Sequence, residues 1–206
     1  MSTTSEPVAK PDKNDRIGLY ATAVAAGVGF VAVLITTITR LVEVAPGHDI
    51  PVPVKLDDET LPVPLGPNGA PIDGIVSQAV ITVADPAPAT LFALWAEPIT
   101  WGLTWMALLV IGGMLCMRFA RAQVFNRTTY RLVYAASAIL TAGWVLGSLF
   151  TTMTVNGALS AVSDYTYEVF RTTINIAPVI GIIILAAIGT AIQLGEKLQR
   201  ETEGLV

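Results

Sequence analysis

The chain is poor in the residues that soluble enzymes rely on. Of its 206 residues only 14% are charged, against roughly 25% in an ordinary globular domain. It has one cysteine, Cys116, and one histidine, His48. A lone cysteine excludes a disulfide scaffold within the chain, and with a lone histidine it leaves no zinc-type ligand set. Bis-histidine haem ligation within the chain is excluded for the same reason. No GxSxG, Walker A or HExxH motif occurs. A net charge of −4 without a basic stripe argues against nucleic acid as a partner.

The few charges are also clustered. Four stretches contain no Asp, Glu, Lys or Arg: residues 17–39, 98–117, 132–163 and 172–195. Roughly 20 apolar residues in a helix cross the hydrocarbon of a bilayer, and each stretch is long enough. Runs of this length suit helices rather than barrel strands of about ten residues. The expected fold class is an all-α transmembrane four-helix bundle. Its segments are a cytoplasmic tail 1–16, spans at 17–39, 98–117, 132–154 and 172–195, connections 40–97, 118–131 and 155–171, and a tail 196–206. The first span is too long for the apolar core of a signal peptide and is expected to stay in the protein.

Orientation follows from Lys and Arg near the span ends. One side holds Lys10, Lys13, Arg16, Arg118, Arg121, Arg127, Arg131, Lys197 and Arg200; the other holds Arg40, Lys55 and Arg171. Nine against three places both termini in the cytoplasm of a plasma (inner) membrane. Arg118, Arg121, Arg127 and Arg131 are then the topology signal and the contacts to lipid headgroups. Tyr20, Trp95, Trp101, Trp105, Tyr165 and Tyr167 fall where interfacial aromatic belts are expected.

The connection 40–97 is unlike the others. Ile50, Val52, Val54 and Leu56 alternate with Pro51, Pro53 and Lys55, the pattern of an extended edge strand. Gly74–Val83 is a second, β-branched strand. The two are expected to pair as an antiparallel hairpin or small sheet outside the membrane. Eight acids lie in this connection, with Asp57, Asp58 and Glu59 read as a solvated acidic turn rather than a cation loop, which would need spaced ligands. His48 and Asp49 are adjacent here, without a third partner.

Small residues recur at spacing four: Ala21, Ala25 and Gly29; Gly143 and Gly147; Ala187, Ala191 and Gly195. Such rows let backbones approach, within the bundle or against another protein. Pro178 is expected to bend or start the fourth helix, with Asn175 bonding a freed carbonyl. Within the charge-free runs no acid or base offers a proton relay, and Cys116 reads as inert packing. No catalytic residue, metal site or cofactor is expected.

The layout resembles a bacterial family of four-helix membrane proteins, common in actinobacteria and firmicutes, with an extracytoplasmic loop of alternating Pro and Val. The corresponding segments here are IPVPVKL and GIVSQAVITV. In that family the second connection reads Gly, any residue, Pro, Phe, then a basic stretch ending in Gly–Trp. This chain keeps Phe125, Arg127, Arg131, Gly143 and Trp144 but lacks the Gly and the Pro. Its ending, with Gly195, Leu198, Glu201 and Gly204–Leu205–Val206, is similar to the family's amphipathic close. The family has no established reaction, and some relatives sit beside small helix-turn-helix regulators, which implies signalling or stress roles.

Two functions follow as expectations. The first is a non-enzymatic accessory subunit of a larger membrane complex, surrounded by membrane lipids. By analogy, an actinobacterial respiratory cytochrome bcc–oxidase supercomplex is such a complex. The second is a stand-alone sensor or regulator of envelope stress that uses the external loop.

Overall fold

The computed structural model describes residues 12–163 and 175–203. Its elements run α1 (Lys13–Val44), β1 (Ile50–Val63), a short 3-10 turn (Pro67–Gly69), β2 (Ile72–Val83), α2 (Pro88–Ala120), α3 (Arg127–Val162) and α4 (Ala177–Glu203). Among the described residues, four helices are long and apolar enough to cross a membrane. The fold is therefore mostly helical, with one small sheet between the first two helices. Tyr165, Tyr167 and Arg171, the first eleven residues and Gly204–Val206 lie outside the described residues.

The helices outrun the charge-free stretches. α2 is 33 residues long, roughly 50 Å at the helical rise, against about 30 Å of hydrocarbon. It starts at Pro88, not at Pro98, which lies inside it. Proline at the first helical position costs no hydrogen bond, because that N–H has no intrahelical partner, so Pro88 opens a helix as readily as it closes a loop. α3 begins at Arg127 rather than 132 and continues to Val162, eight residues past the expected end at 154. Asn126 caps its start, its Oδ1 accepting the Thr128 N–H at 2.9 Å. α4 begins at Ala177, with Pro178 as its second residue, so the proline starts this helix. The carbonyl that Pro178 would free, that of residue 174, lies outside the described residues; the Asn175 Oδ1 accepts the Ala177 amide at 3.0 Å, a side-chain turn just ahead of the helix. The expected tail from 196 continues as helix to Glu203, supported by i,i+4 pairs Glu196–Arg200 and Lys197–Glu201.

Two compact units emerge, one drawn from Met1–Ile38, Ile99–Gly147 and Asn175–Val206, the other from Thr39–Pro98 and Ser148–Ile174. In the first, helices meet where glycine leaves room. The side chain of Thr37 fills the space beside Gly102, Thr104 that beside Gly143, and the Trp101 indole that beside Gly147. The Thr104 hydroxyl donates to its own Thr100 carbonyl at 2.7 Å, so it enters the apolar interface already satisfied. Ser137 and Trp144 tie α3 to the fourth helix, the Trp144 indole donating to the Asn175 carbonyl at 2.7 Å.

The second unit is built on the hairpin. β1 and β2 pair antiparallel from Ile50↔Val83 to Val63↔Ile72. Ile50, Val52, Val54 and Val83 point inward and pack with Val44, Leu94, Val155, Ala158 and Leu159, the period-two burial of a half-buried strand. Pro51 and Pro53 are tolerated because both strands of a two-stranded ladder are edges. Arg40 donates to the Pro51 carbonyl at 2.9 Å and pairs with Glu43. The acids at 57–59 are not in a turn. Lys55 pairs with Gln78 and Glu59 with Val76, so residues 56–58 form a bulge opposite residue 77. The chain reverses instead over Gly66–Ala70, where Asn68 and Gly69 take positive φ.

The α2–α3 connection carries a strain with a testable consequence. Ala122 has φ +58°, and the Ala122 and Gln123 amides donate to Phe119 and Arg118 carbonyls, the left-handed close of a helix that favours glycine. A left-handed alanine costs roughly 1–2 kcal/mol, partly offset by the greater chain entropy of glycine. Ala122→Gly is expected to raise stability by about 0.5–1 kcal/mol, read as a higher thermal midpoint in detergent.

Candidate functional site

Polar side chains that could act on something converge at one place in the first unit, where α3 starts and α4 ends. A recess of about 490 Å³ opens there, with Arg127 and Tyr130 from α3 on one wall. The opposite wall is a single stripe of α4: Thr190, Gln193, Leu194, Lys197 and Arg200, with Glu196 beside it. Spacings of three and four keep these residues on one helical face. A smaller recess of about 220 Å³ shares Arg127, Glu196 and Arg200 and adds Phe125 and Asn126.

Hydrogen bonds order the α4 wall. Glu196, only 14% exposed, holds Arg200 at 2.6 Å. Tyr134, one turn below Tyr130, contacts the Thr190 hydroxyl at 3.2 Å and donates to Gln193 Oε1 at 3.1 Å. Thr190 is also bonded to its Ala186 carbonyl at 2.9 Å. With the Gln193 oxygen used as an acceptor, its amide N–H groups are the end left to donate. The ring of Tyr130 meets that of Tyr134 edge-on at 6.1 Å, which holds Tyr130 at the mouth.

The four arginines singled out from the sequence separate. Arg127 lines the recess and makes no hydrogen bond or ion pair among the described residues. Arg118 is structural: its Nε donates to the fully buried Thr129 hydroxyl at 3.2 Å, which donates on to the Gln123 carbonyl at 3.0 Å. Arg121 and Arg131 are exposed and outside the recess.

The small-residue rows divide too. Gly143, Gly147 and Gly195 are covered from within the chain, by Thr104, Trp101 and the Phe125 ring. Gly29 lies 3.4 Å, at an added Cβ, from Leu109. Ala21, Ala25, Ala187 and Ala191 are exposed. α1 instead meets α2 through Ala26 and Thr37, and α4 meets α3 through Gly189, where an added Cβ would come within 3.1 Å of the Tyr134 ring. Trp101 is likewise a packing residue, whereas Trp95 and Trp105 are partly exposed.

Tyr130, Gln193, Lys197 and Arg200 were not legible as a site. Their stripe on α4 can be read from spacing, but its facing Arg127 depends on how α3 and α4 pair. In the second unit, His48 and Asp49 lie 3.4 Å apart and largely exposed. Among the described residues no group of three His, Cys, Asp or Glu could hold a metal ion. Also in that unit, the outward side of the hairpin exposes Val80, 67% accessible, with Pro53 opposite it, and Ile75 is 73% accessible on the stretch beyond the bulge. Compared with family models, curated proteins and solved structures, the chain matches none.

Proposed function

We propose that the chain is a non-catalytic accessory subunit of a larger membrane complex, with both termini in the cytoplasm and the hairpin outside. The nine-to-three distribution of Lys and Arg supports this orientation. The observation that carries the subunit reading is the hairpin's division of labour. Close to the helices one face is locked into the unit's own core through Val52 and Val54, while the other presents Val80 and Pro53 to its surroundings, and beyond the bulge Ile75 is exposed as well. An aliphatic β-face on an extramembrane segment, flanked by ladder edges, suits a protein partner. The complex to test first is a respiratory assembly of the bcc–oxidase type, the choice resting on analogy with small membrane subunits.

Affinity capture of the tagged full chain in mild detergent, followed by mass spectrometry and a visible spectrum, tests this. Stoichiometric partner subunits with haem bands are expected, and Ile75→Lys with Val80→Lys should release them while the chain stays folded. A chain that purifies alone under the mildest conditions would favour the stand-alone sensor of envelope stress instead.

A further inference from the structure

We propose that the recess between the start of α3 and the end of α4 binds the phosphodiester headgroup of an anionic phospholipid. Three observations converge on this ligand. The first is positive charge from two helices, one of the cations unpaired. Arg127 has no partner among the described residues, and Lys197 stands 3.9 Å from Glu201 with its side chain 75% exposed. Arg200 is held by Glu196, so three cations share the recess with one neutralised carboxylate. The unpaired Arg127, with the loosely paired and exposed Lys197 beside it, suits a phosphate with one negative charge better than a cation or a neutral solute.

The second is the donor set. The Tyr134 hydroxyl engages Gln193 Oε1 and leaves the amide N–H groups, which suit phosphate or glycerol oxygens. The third is where the recess lies in the sequence pattern. The charge-free stretch of α4 ends at Gly195 and the charged turn begins at Glu196. Headgroups occupy this polar margin of an apolar span, and basic pockets between helices there take anionic lipids. Leu194, 57% exposed, lines the recess, and Ile183, 63% exposed, lies on the same helical stripe three turns back. That stripe would receive an acyl chain, which a free phosphate lacks.

The site is tested on the full chain by native mass spectrometry after delipidation. The probes are phosphatidylglycerol, phosphatidylcholine and inorganic phosphate. Phosphatidylglycerol is expected to be retained, phosphatidylcholine not. Arg127→Gln with Lys197→Gln should weaken phosphatidylglycerol binding about tenfold or more. Gln193→Glu, which turns the donor into an acceptor of similar shape, should do the same. Arg121→Gln with Arg131→Gln removes equal charge outside the recess and should change it less than twofold. Unaltered helicity and thermal midpoint in each variant separate lost binding from lost fold. Equal weakening by both double variants, equal retention of the two lipids, or displacement of phosphatidylglycerol by millimolar inorganic phosphate would each overturn the assignment.

Discussion

Gly143→Leu is expected to be among the most damaging single substitutions in the helical unit. The space that any Cβ at this position would enter is filled by the Thr104 side chain, and Thr104 is itself 5% exposed, so it has nowhere to withdraw. Its hydroxyl is committed to the Thr100 carbonyl, which fixes the rotamer. The two helices would have to separate, also lifting the Trp101 indole from Gly147 one turn away. In lipid no hydrophobic driving force draws such surfaces together again; their close packing is the stabilising term. Overpacking typically costs 1–3 kcal/mol, and because the Trp101 indole is unseated as well, the expected cost is about 3 kcal/mol. A thermal midpoint in detergent measures it. Gly143→Ala should cost less and be rescued in part by Thr104→Ala, because the two side chains compete for one volume. Val145→Ala, at a 53% exposed position on the same helix, should shift the midpoint little. An unperturbed Gly143→Leu would mean that α2 and α3 do not approach here.

The contrast between Gly143 and Ala187 shows what spacing conveys and what it does not. Both belong to rows of small residues at interval four. One row is filled by α2 side chains, and the other faces outward at Ala187 and Ala191 and is covered at Gly195 alone, because the interval defines a face without saying what stands opposite. Charge depletion was more informative: four empty stretches correspond to four helices, since a charge inside hydrocarbon is costly whatever the tertiary context. The ends of those helices were less legible. The charge of Glu97 reads as the edge of a span at Pro98, yet the helix runs through both from Pro88, and the Asn126 cap and the Asn175 turn that open the next two helices are recognised only once the local backbone is known. The hairpin was legible because burial in a strand has a period of two, and Ile50, Val52 and Val54 obey it. Its bulge at 56–58 was not, since no residue type marks a register shift. The recess lay beyond the sequence for a different reason: Arg127 and Lys197 are 70 positions apart and belong together only through the pairing of α3 with α4.

The period-two pattern of β1 leads to the second large effect. Val52→Asp should dismantle the hairpin unit, whereas Pro53→Asp, one residue on, should leave it intact. Val52 is fully buried among the apolar side chains of Val44, Ile50, Val54, Val83, Leu94, Val155, Ala158 and Leu159, where a carboxylate would lose its water. An unpaired charge in such surroundings costs several kcal/mol even after relaxation, comparable with the total stability of a small cooperative unit. Pro53 is exposed on the opposite face and pairs with the exposed Val80, so a carboxylate there stays solvated and should cost no more than about 0.5 kcal/mol. Val52→Ala provides the graded case: two methyl groups removed from a packed site are worth about 2 kcal/mol. Amide exchange in detergent reads all three. In Val52→Asp the β2 amides from Ile75 to Ile81 should exchange at rates near those of an unfolded chain. Amides of α4 around Ile182–Gly189 belong to the other compact unit and should keep their protection, because local opening follows cooperative units rather than the whole chain. Equal loss of protection in both segments would make the two units a single cooperative whole. Native protection of β2 in Val52→Asp would show that β1 does not hold this register.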